Sequence, residues 1–309
     1  MTSPQQDRPL KPTLILNGHS VHVEEAKAHI ARISAELGVS AQVIVTRKGD
    51  NISLLAGRAL GEDRRPVVAG GGDGTVNAVA GMLAGTNVAL GVLPMGTLNH
   101  FAKDVGVPRD LEAAVRNVFT GEVSSVDVGD VNGRVFVNNS GLGFYPHFVR
   151  IREDQERHGH VKRVAFVLAL RSMLRRYLRL RLKVHMDRAE ALEHVTPFLF
   201  VGNNRYLTAG LEIGTRSRLD SGLLWVCTAP HAEHANLVRT AVRTFLGRDT
   251  EGELNIIEVK EISIDPGTPR ANVSVDGEVA IMNAPLNYRI RPLALRVVAP
   301  GRRVAASRP

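Results

Sequence analysis

The sequence predicts an α/β domain with a parallel, doubly wound sheet, followed by a mostly-β domain that forms a sandwich. In the first part of the chain, short apolar runs alternate with stretches of helical periodicity, an order that is typical of a parallel sheet with right-handed crossovers. In the later part, strand-like segments follow one another, and Asn132-Gly133 separates two of them as in a hairpin. A chain of 309 residues is long enough for two such domains.

The individual elements follow from hydrophobic periodicity and turn signals. In the first half, strands are predicted at 14–16, 42–46, 67–69 and 88–93, and helices at 24–37, 52–60, 110–119 and from Thr75 and Leu98 onward. In the second half, strands are predicted at 123–131, 134–138, 180–186, 197–202, 223–229, 255–265, 272–275, 278–282 and 286–291. We assign 10–134 to the α/β domain and 135–300 to the β-rich domain. A final strand at about 292–299 is expected to return to the first domain.

Two glycine-rich turns stand at the ends of neighbouring predicted strands. The first, Gly70-Gly71-Gly72-Asp73-Gly74, separates a buried strand from a helix, and the second, around Gly96-Thr97, does the same after the next strand. Such turns present backbone N–H groups and a positive helix end to phosphate, and together they form a crevice at the carboxyl edge of the sheet. Asp73 would repel phosphate unless Mg²⁺ intervenes, and the alternative is that it caps the following helix.

These residues resemble a known family. Gly71-Gly72-Asp73-Gly74-Thr75, followed by Leu93-Pro94-Met95-Gly96-Thr97-Leu98-Asn99-His100-Phe101-Ala102, closely resembles the diacylglycerol kinase catalytic family in its bacterial soluble lipid-kinase branch. NAD kinases share the first motif, whereas the pair at this spacing is specific. The resemblance implies ATP with Mg²⁺ as cofactors, and a nucleotide site made of Asn17, Thr46, Gly71, Gly72, Asp73, Gly74, Thr75, Asn77, Gly96, Thr97 and Asn99.

The resemblance also implies a catalytic carboxylate in the second domain. Asp276-Gly277-Glu278 lies between two strand-like segments, so its spacing alone indicates a hairpin turn. A matching Asp-Gly-Glu in the family brings a carboxylate toward the γ-phosphate. Glu278 is therefore the expected general base, with Asp276 as the alternative, while Asp73 is expected to organise Mg²⁺–ATP.

An accessory metal site is predicted less directly. The family's bacterial branch often has Leu-Asp-Asp-Gly, whose second aspartate helps to hold Mg²⁺. This chain has Leu219-Asp220-Ser221-Gly222 instead, and a serine hydroxyl is a weak ligand for such a hard dication. Either the site is lost or Asp220 compensates, so Asp220 is the one candidate metal ligand.

The charge of the chain is concentrated in one segment. The net charge is +8, and the segment Arg150–Lys183 holds eleven lysines and arginines against three acidic residues. This segment is either a patch that binds an anionic membrane surface or a solvated helix face. Aromatic residues make up 5% of the chain and no nucleic-acid module is evident, so nucleic acid is not an expected partner.

The composition of the chain indicates where in the cell the protein works. The single cysteine excludes an intramolecular disulfide, and the polar start of the chain has no signal-peptide pattern. The sequence thus predicts a cytoplasmic protein with peripheral membrane association. Its expected function is an ATP-dependent lipid kinase that phosphorylates a hydroxyl of a diacylglycerol-like lipid. The alternatives are a catalytically weak, membrane-associated nucleotide-binding protein and a kinase of a soluble substrate such as NAD.

Overall fold

The chain forms two compact units. A computed structural model describes residues 11–62, 66–143, 180–185, 192–207, 215–229 and 254–301. One unit comprises Met1–Val126 with Leu295–Pro309, and the other comprises Asp127–Ala294. The predicted fold class, an α/β domain followed by a β-sandwich, is confirmed. The proposed functional division at 134/135 stays a prediction.

The first unit is an α/β layer structure around a parallel sheet. Its elements are β1 (Thr13–Leu16), α1 (Val23–Leu37), β2 (Gln42–Val45), α2 (Ile52–Gly61), β3 (Val67–Gly71), α3 (Asp73–Leu83), β4 (Ala89–Pro94), α4 (His100–Asp104) and α5 (Leu111–Thr120). The strand order is β2-β1-β3-β4, with every pair parallel. β1 and β3 are buried along their whole length, as expected for strands covered on both faces.

The second unit is built from antiparallel strands. Its described strands are β5 (Glu122–Val131), which begins in the first unit, β6 (Arg134–Phe136), β7 (Asn139–Gly143), β8 (Leu180–His185), β9 (Leu192–Thr196), β10 (Phe198–Asn203), β11 (Leu224–Thr228), β12 (Asn255–Val259), β13 (Glu261–Asp265), β14 (Arg270–Val275), β15 (Glu278–Asn283) and β16 (Leu286–Ala299). One sheet has the order β12-β11-β10-β7-β14-β15. The strands β16, β13, β8 and β9 pair in the other sheet.

Alternating apolar side chains from both sheets form the sandwich core. Leu142, Val201 and Val226 enter it from the six-stranded sheet, and Ile264 and Tyr288 enter it from the other sheet. Burial of the Tyr288 hydroxyl raises its pKa, although Ser140 hydrogen-bonds to it at 3.2 Å. A half-buried strand with period-two alternation explains why the sequence pattern identified most of these strands.

Two sequence-based strand predictions are wrong in detail. The segment 255–265, predicted as one strand, is divided between β12 and β13, which belong to different sheets and meet at Lys260. The segments 286–291 and 292–299, predicted separately, form the single strand β16. Its last part pairs in parallel with β4 through Arg296–Ala89 and Val297–Leu90.

Candidate active site

The two glycine turns of the first unit touch each other. β3 ends at Gly71, and Gly72 is the N-cap of α3 with an extended conformation. A Cβ atom built on Gly96 would lie 2.3 Å from the Cα of Gly72, far inside van der Waals contact. The Met95 N–H also donates to the Gly71 carbonyl at 3.1 Å. The two turns are therefore one continuous surface of backbone at the carboxyl edge of the sheet, and only glycine fits at position 96.

Asp73 joins the first turn to the second. Its carboxylate accepts the His100 N–H and the Phe101 N–H, both at 3.2 Å. These N–H groups belong to the first turn of α4, so Asp73 caps α4 and not its own helix α3. The alternative interpretation, that Asp73 caps the helix that follows it, is therefore wrong. Its proposed role toward Mg²⁺–ATP stays a prediction, and each carboxylate oxygen retains further acceptor capacity.

The loop after β1 completes this group of residues. The Asn17 side-chain amide donates to the Thr75 hydroxyl at 3.4 Å, and the Gly18 N–H donates to the Thr46 hydroxyl at 3.2 Å. Ser20 donates its hydroxyl proton to the Met95 carbonyl at 2.8 Å, which ties the loop to the second glycine turn. Asn17, Thr46 and Thr75, which were assigned by resemblance, thus lie at one edge of one sheet. The sequence analysis missed Ser20, although its place just after a strand could have indicated it.

Asn99 holds the second turn in shape. Its side chain accepts the Gly96 N–H at 3.0 Å and donates to the Gly96 carbonyl at 2.7 Å. Asn99 also has a left-handed backbone (φ 51°), which asparagine tolerates better than most residues. Thr97 is exposed between them, whereas Asn77 is buried on α3. Thr97 is therefore accessible to a ligand, whereas Asn77 is enclosed, and the assignment of both to the nucleotide site stays a prediction.

The donors along this edge are backbone N–H and hydroxyl groups. They lie beside the N-terminus of α3, where the helix dipole favours negative charge. Such an arrangement binds phosphate without a lysine or arginine in the glycine turns.

Asp276 has a structural role in the second unit. Asp276 and Gly277, both with positive φ, form the two-residue loop between β14 and β15. The Asp276 carboxylate accepts three backbone N–H groups, those of Val137, Asn138 and Asn139, at 2.8–2.9 Å. It therefore fixes the chain between β6 and β7. These contacts favour Glu278 over Asp276 as the proposed base.

Glu278 is the first residue of β15 and is largely exposed. The exposed fraction of its side chain is 61%, and its Oε2 lies 2.8 Å from Nη2 of Arg134. In contrast to Asp276, this carboxylate has no backbone donor among the hydrogen bonds of the described residues. It is available to a substrate, and its role as general base stays a prediction.

The described surroundings of Asp220 do not add support for a magnesium site. Asp220 is exposed and accepts a hydrogen bond from Nε of Arg218 at 3.0 Å, which raises the pKa of the guanidinium. Ser221 donates its hydroxyl proton to Oδ1 of the buried Asn204. Within the residues that the structure describes, no group of three or more His, Cys, Asp or Glu side chains could hold a metal. The assignment of Asp220 as a ligand thus stays a prediction without geometric support.

A separate cavity lies elsewhere in the second unit. Its volume is about 470 Å³, and Asp130, Glu261 and Arg289 are among its lining residues. It includes none of the residues that the sequence assigned to a site. The basic segment Arg150–Lys183 lies outside the described residues except for its last four, which are in β8. No described helix is long and apolar enough to cross a membrane.

Two strand–glycine turn–helix units, side by side on a parallel sheet and followed by a β-sandwich, define a nucleotide-dependent phosphotransferase. Comparison with protein families agrees. The diacylglycerol kinase catalytic domain matches residues 11–131, and the YegS C-terminal NAD kinase beta sandwich-like domain matches residues 149–299. The chain therefore contains a diacylglycerol kinase catalytic domain, followed by a domain of the YegS C-terminal type. This confirms the family assignment and the prediction that the protein is a kinase.

Individual relatives match over nearly the whole chain. A diacylglycerol kinase of Mycobacterium tuberculosis is 29% identical over 92% of this chain and 93% of its own length. A protein of Pseudomonas aeruginosa named "Probable lipid kinase YegS-like" is 29% identical, with 94% of both chains covered. A crystal structure of a diacylglycerol kinase from Bacillus anthracis has a TM-score of 0.69 at 18% identity, covering 95% of this chain and 98% of its own. This last similarity concerns the fold.

Replacing Asp73 with alanine is expected to weaken ATP binding about tenfold. The change removes both acceptors for the α4 N–H groups, so the second turn is no longer held against the first. Asp110→Ala is the matched control, because Asp110 also accepts a helix N–H, that of Ala113 at the start of α5. Each variant should lose about 1 kcal/mol of unfolding free energy. Calorimetric titration with ATP should show a change for Asp73→Ala alone, and equal ATP affinities would contradict the role of Asp73.

Asp276→Ala is expected to destabilise the protein by about 3 kcal/mol, because it leaves three backbone N–H groups without their acceptor. Asp265→Ala is the control in the same unit. Asp265 accepts one turn N–H, that of Gly267, in an exposed position, so its loss should cost less than about 1 kcal/mol. Chemical denaturation measures both values. A variant of Asp276 that is inactive but fully stable would instead indicate a catalytic role.

Proposed function

We propose that this kinase transfers the γ-phosphoryl group of ATP to a hydroxyl of a diacylglycerol-like lipid. The observation that supports the nucleotide part most directly is the contact between Gly72 and Gly96, which makes one donor surface from two turns. The lipid part is supported by the family and by the names of the relatives, a diacylglycerol kinase among them.

The phosphate groups of ATP would bind along the carboxyl edge of the first sheet. Gly71, Gly72, Gly74 and Gly96 let an anion approach the backbone, and Thr75 and Thr97 add hydroxyl donors. Asn17 and Thr46 orient this edge through their contacts with Thr75 and Gly18. Mg²⁺ arriving with ATP would neutralise part of the triphosphate charge.

The second unit would supply the base. Glu278 accepts the proton of the lipid hydroxyl as the oxygen forms its bond to the γ-phosphorus. The bond between that phosphorus and the β,γ-bridging oxygen breaks, and ADP leaves with the electron pair. Arg134 orients the Glu278 carboxylate through their 2.8 Å contact.

The acceptor is a membrane lipid, so the protein would work in the cytoplasm with transient binding to the membrane. The positive charge of the segment Arg150–Lys183 supports attraction to anionic headgroups. Each lysine or arginine near such a surface contributes about 1 kcal/mol to binding.

The test is incubation of the purified protein with Mg²⁺ and γ-labelled ATP in the presence of diacylglycerol or other hydroxyl lipids in mixed micelles. We expect the label in the organic phase, in a phosphorylated lipid whose identity depends on which lipid was added. Label transferred only to a water-soluble acceptor such as NAD, or no transfer over the lipid panel, would overturn it.

A further inference from the structure

The stretch from Val137 to Asn139, which we call the connecting segment, leads from β6 into β7. Val137 and Asn138 are buried, so their backbone groups need partners inside the protein. The Asp276 carboxylate accepts all three N–H groups of the segment, and the Asp276 N–H donates to the Asn139 carbonyl at 2.8 Å. The loop between β14 and β15 therefore binds the N–H groups of the segment through a single residue.

A buried arginine binds the same segment through its carbonyl groups and a side chain. Arg216 is 5% exposed, and its Nη1 donates to the Val137 carbonyl at 2.6 Å and to the Asn203 carbonyl at 3.0 Å. Its Nη2 donates to Oδ1 of Asn138 at 2.9 Å. The guanidinium lies 5.5 Å from the ring centroid of Tyr206, whose hydroxyl donates to the Asn138 carbonyl at 3.0 Å. Arg216 thus joins two parts of the chain to the connecting segment.

Satisfying the backbone carbonyls does not by itself require Arg216. The Val137 carbonyl also accepts Nδ2 of Asn203 at 2.9 Å, and the Asn138 carbonyl also accepts the Asn203 N–H at 2.9 Å. Burying a charged group is costly, so a guanidinium is an expensive way to add a second donor to a paired carbonyl. What Arg216 adds is rigidity, because its planar fork holds three acceptors at fixed distances, which a lysine ammonium does not do.

Both ends of the connecting segment lead to Glu278. Asp276 precedes Glu278 by two residues, across the two-residue loop that pairs Val275 with Glu278. At the other end, β6 is only three residues long and begins with Arg134, whose Nη2 lies 2.8 Å from Oε2 of Glu278. A shift of the connecting segment would therefore move the main chain before Glu278 and also the cation that pairs with its carboxylate.

We propose that Arg216 is a positioning residue for Glu278. This inference rests on the proposed function, in which Glu278 is the general base. Arg216 holds the connecting segment through its carbonyl groups and Asp276 holds it through its N–H groups, so Arg134 and the β14–β15 loop keep a fixed separation. Arg216 takes no part in the proton transfer. Its effect on the rate is large because displacement of a catalytic group by about 1 Å costs up to about a hundredfold.

Kinetics of Arg216→Lys test the effect on the rate. Lysine keeps the positive charge and loses the fork, so kcat for lipid phosphorylation should fall by about ten- to a hundredfold. The KM for ATP should stay at the parent value, because the proposed phosphate donors lie in the first unit. Arg218→Lys is the matched control, since Arg218 is an exposed arginine two positions later that donates to Asp220, and it should leave kcat unchanged. A folded Arg216→Lys protein with the parent kcat would overturn the proposal.

A double-mutant cycle separates positioning from a merely structural role. Once Glu278→Gln has removed the base, its position no longer affects the rate. Arg216→Lys should therefore cause no further loss in the Glu278→Gln protein, because residues that act as a unit are not additive. Single-turnover transfer of labelled phosphate is sensitive enough to compare these slow variants. An equal fold-loss from Arg216→Lys in both backgrounds would show a merely structural role and overturn the proposal.

Tyr206→Phe provides a second variant in case Arg216→Lys does not fold. It keeps the ring beside the guanidinium and removes the hydroxyl that binds the Asn138 carbonyl, so kcat should fall about two- to fivefold. This loss should also vanish in the Glu278→Gln background, and an unchanged kcat would overturn the proposal. A parent protein that phosphorylates no lipid would reject the proposed function and this inference with it. Lipid phosphorylation by the parent, with losses that multiply in the cycle, would reject this inference alone.

Discussion

Glu278→Gln is expected to lower kcat for lipid phosphorylation about a thousandfold while the Kd for ATP stays within about twofold. The amide has the shape of the carboxylate but cannot accept a proton, and general-base catalysis typically contributes factors of this size. ATP affinity should persist because the proposed phosphate donors are in the first unit, at Gly71–Thr75 and Gly96–Thr97. Stability should change little, since the pair with Arg134 is exposed and worth at most about 1 kcal/mol.

Glu261→Gln is the matched control for this change. Glu261 is also an exposed glutamate that begins an antiparallel strand of the second unit, β13. It should leave kcat and both KM values unaltered. Rapid-quench measurement of a single turnover separates the chemical step from product release. A Glu278→Gln enzyme with normal single-turnover rates would remove Glu278 from the mechanism.

Gly96→Ala is expected to weaken ATP binding by about ten- to a hundredfold. The new methyl carbon would stand 2.3 Å from the Gly72 Cα and 2.9 Å from the Asn99 Oδ1, so the two turns must separate. Overpacking of this kind costs about 1–3 kcal/mol, and every 1.4 kcal/mol is about a tenfold change in affinity. Isothermal titration with Mg²⁺–ATP gives the affinity, and thermal unfolding gives the accompanying loss of stability.

Two other glycines provide contrasting controls for Gly96→Ala. A Cβ on Gly72 would meet the Gly96 Cα at 3.5 Å, an ordinary contact, so Gly72→Ala should fold with the parent stability. Gly81 lies within α3 with open space around it, and Gly81→Ala should stabilise the helix by up to about 1 kcal/mol without affecting ATP. Normal ATP affinity of a folded Gly96→Ala protein would show that contact between the turns is not required.

The glycine turns and their sheet were predictable from the sequence because their signals are local. A buried strand, a glycine run and a helical stripe occupy consecutive residues. The residue pattern from Val67 to Leu83 therefore predicts the strand, the turn and the helix in that order. The hairpin turn at Asp276-Gly277 was visible for the same reason, since a two-residue turn with positive φ favours these residue types.

The partners of the two aspartates were not predictable in this way. The Asp73 carboxylate accepts the N–H groups of His100 and Phe101, which lie 27 and 28 positions later in the chain. The Asp276 carboxylate accepts N–H groups of the segment 137–139, which lies much earlier in the chain. Backbone donors carry no residue identity, so nothing in the sequence of the acceptor or the donor marks the pair. Pro292 lies within β16, at the position where the sequence analysis divided two strands. The strand nevertheless continues there, with Leu293 at positive φ and its N–H bound to the buried Asp127.

The end of β16 has a consequence for biosynthesis. Residues Arg296 and Val297 supply the parallel neighbour of β4, and β4 leads directly into the second glycine turn. On a translating ribosome, more than half of the chain is therefore synthesised after β4 and before the end of β16, which is the last strand of the α/β unit. Until then, the backbone groups of β4 that β16 will bind have no partner, so chaperone protection would matter most during this interval.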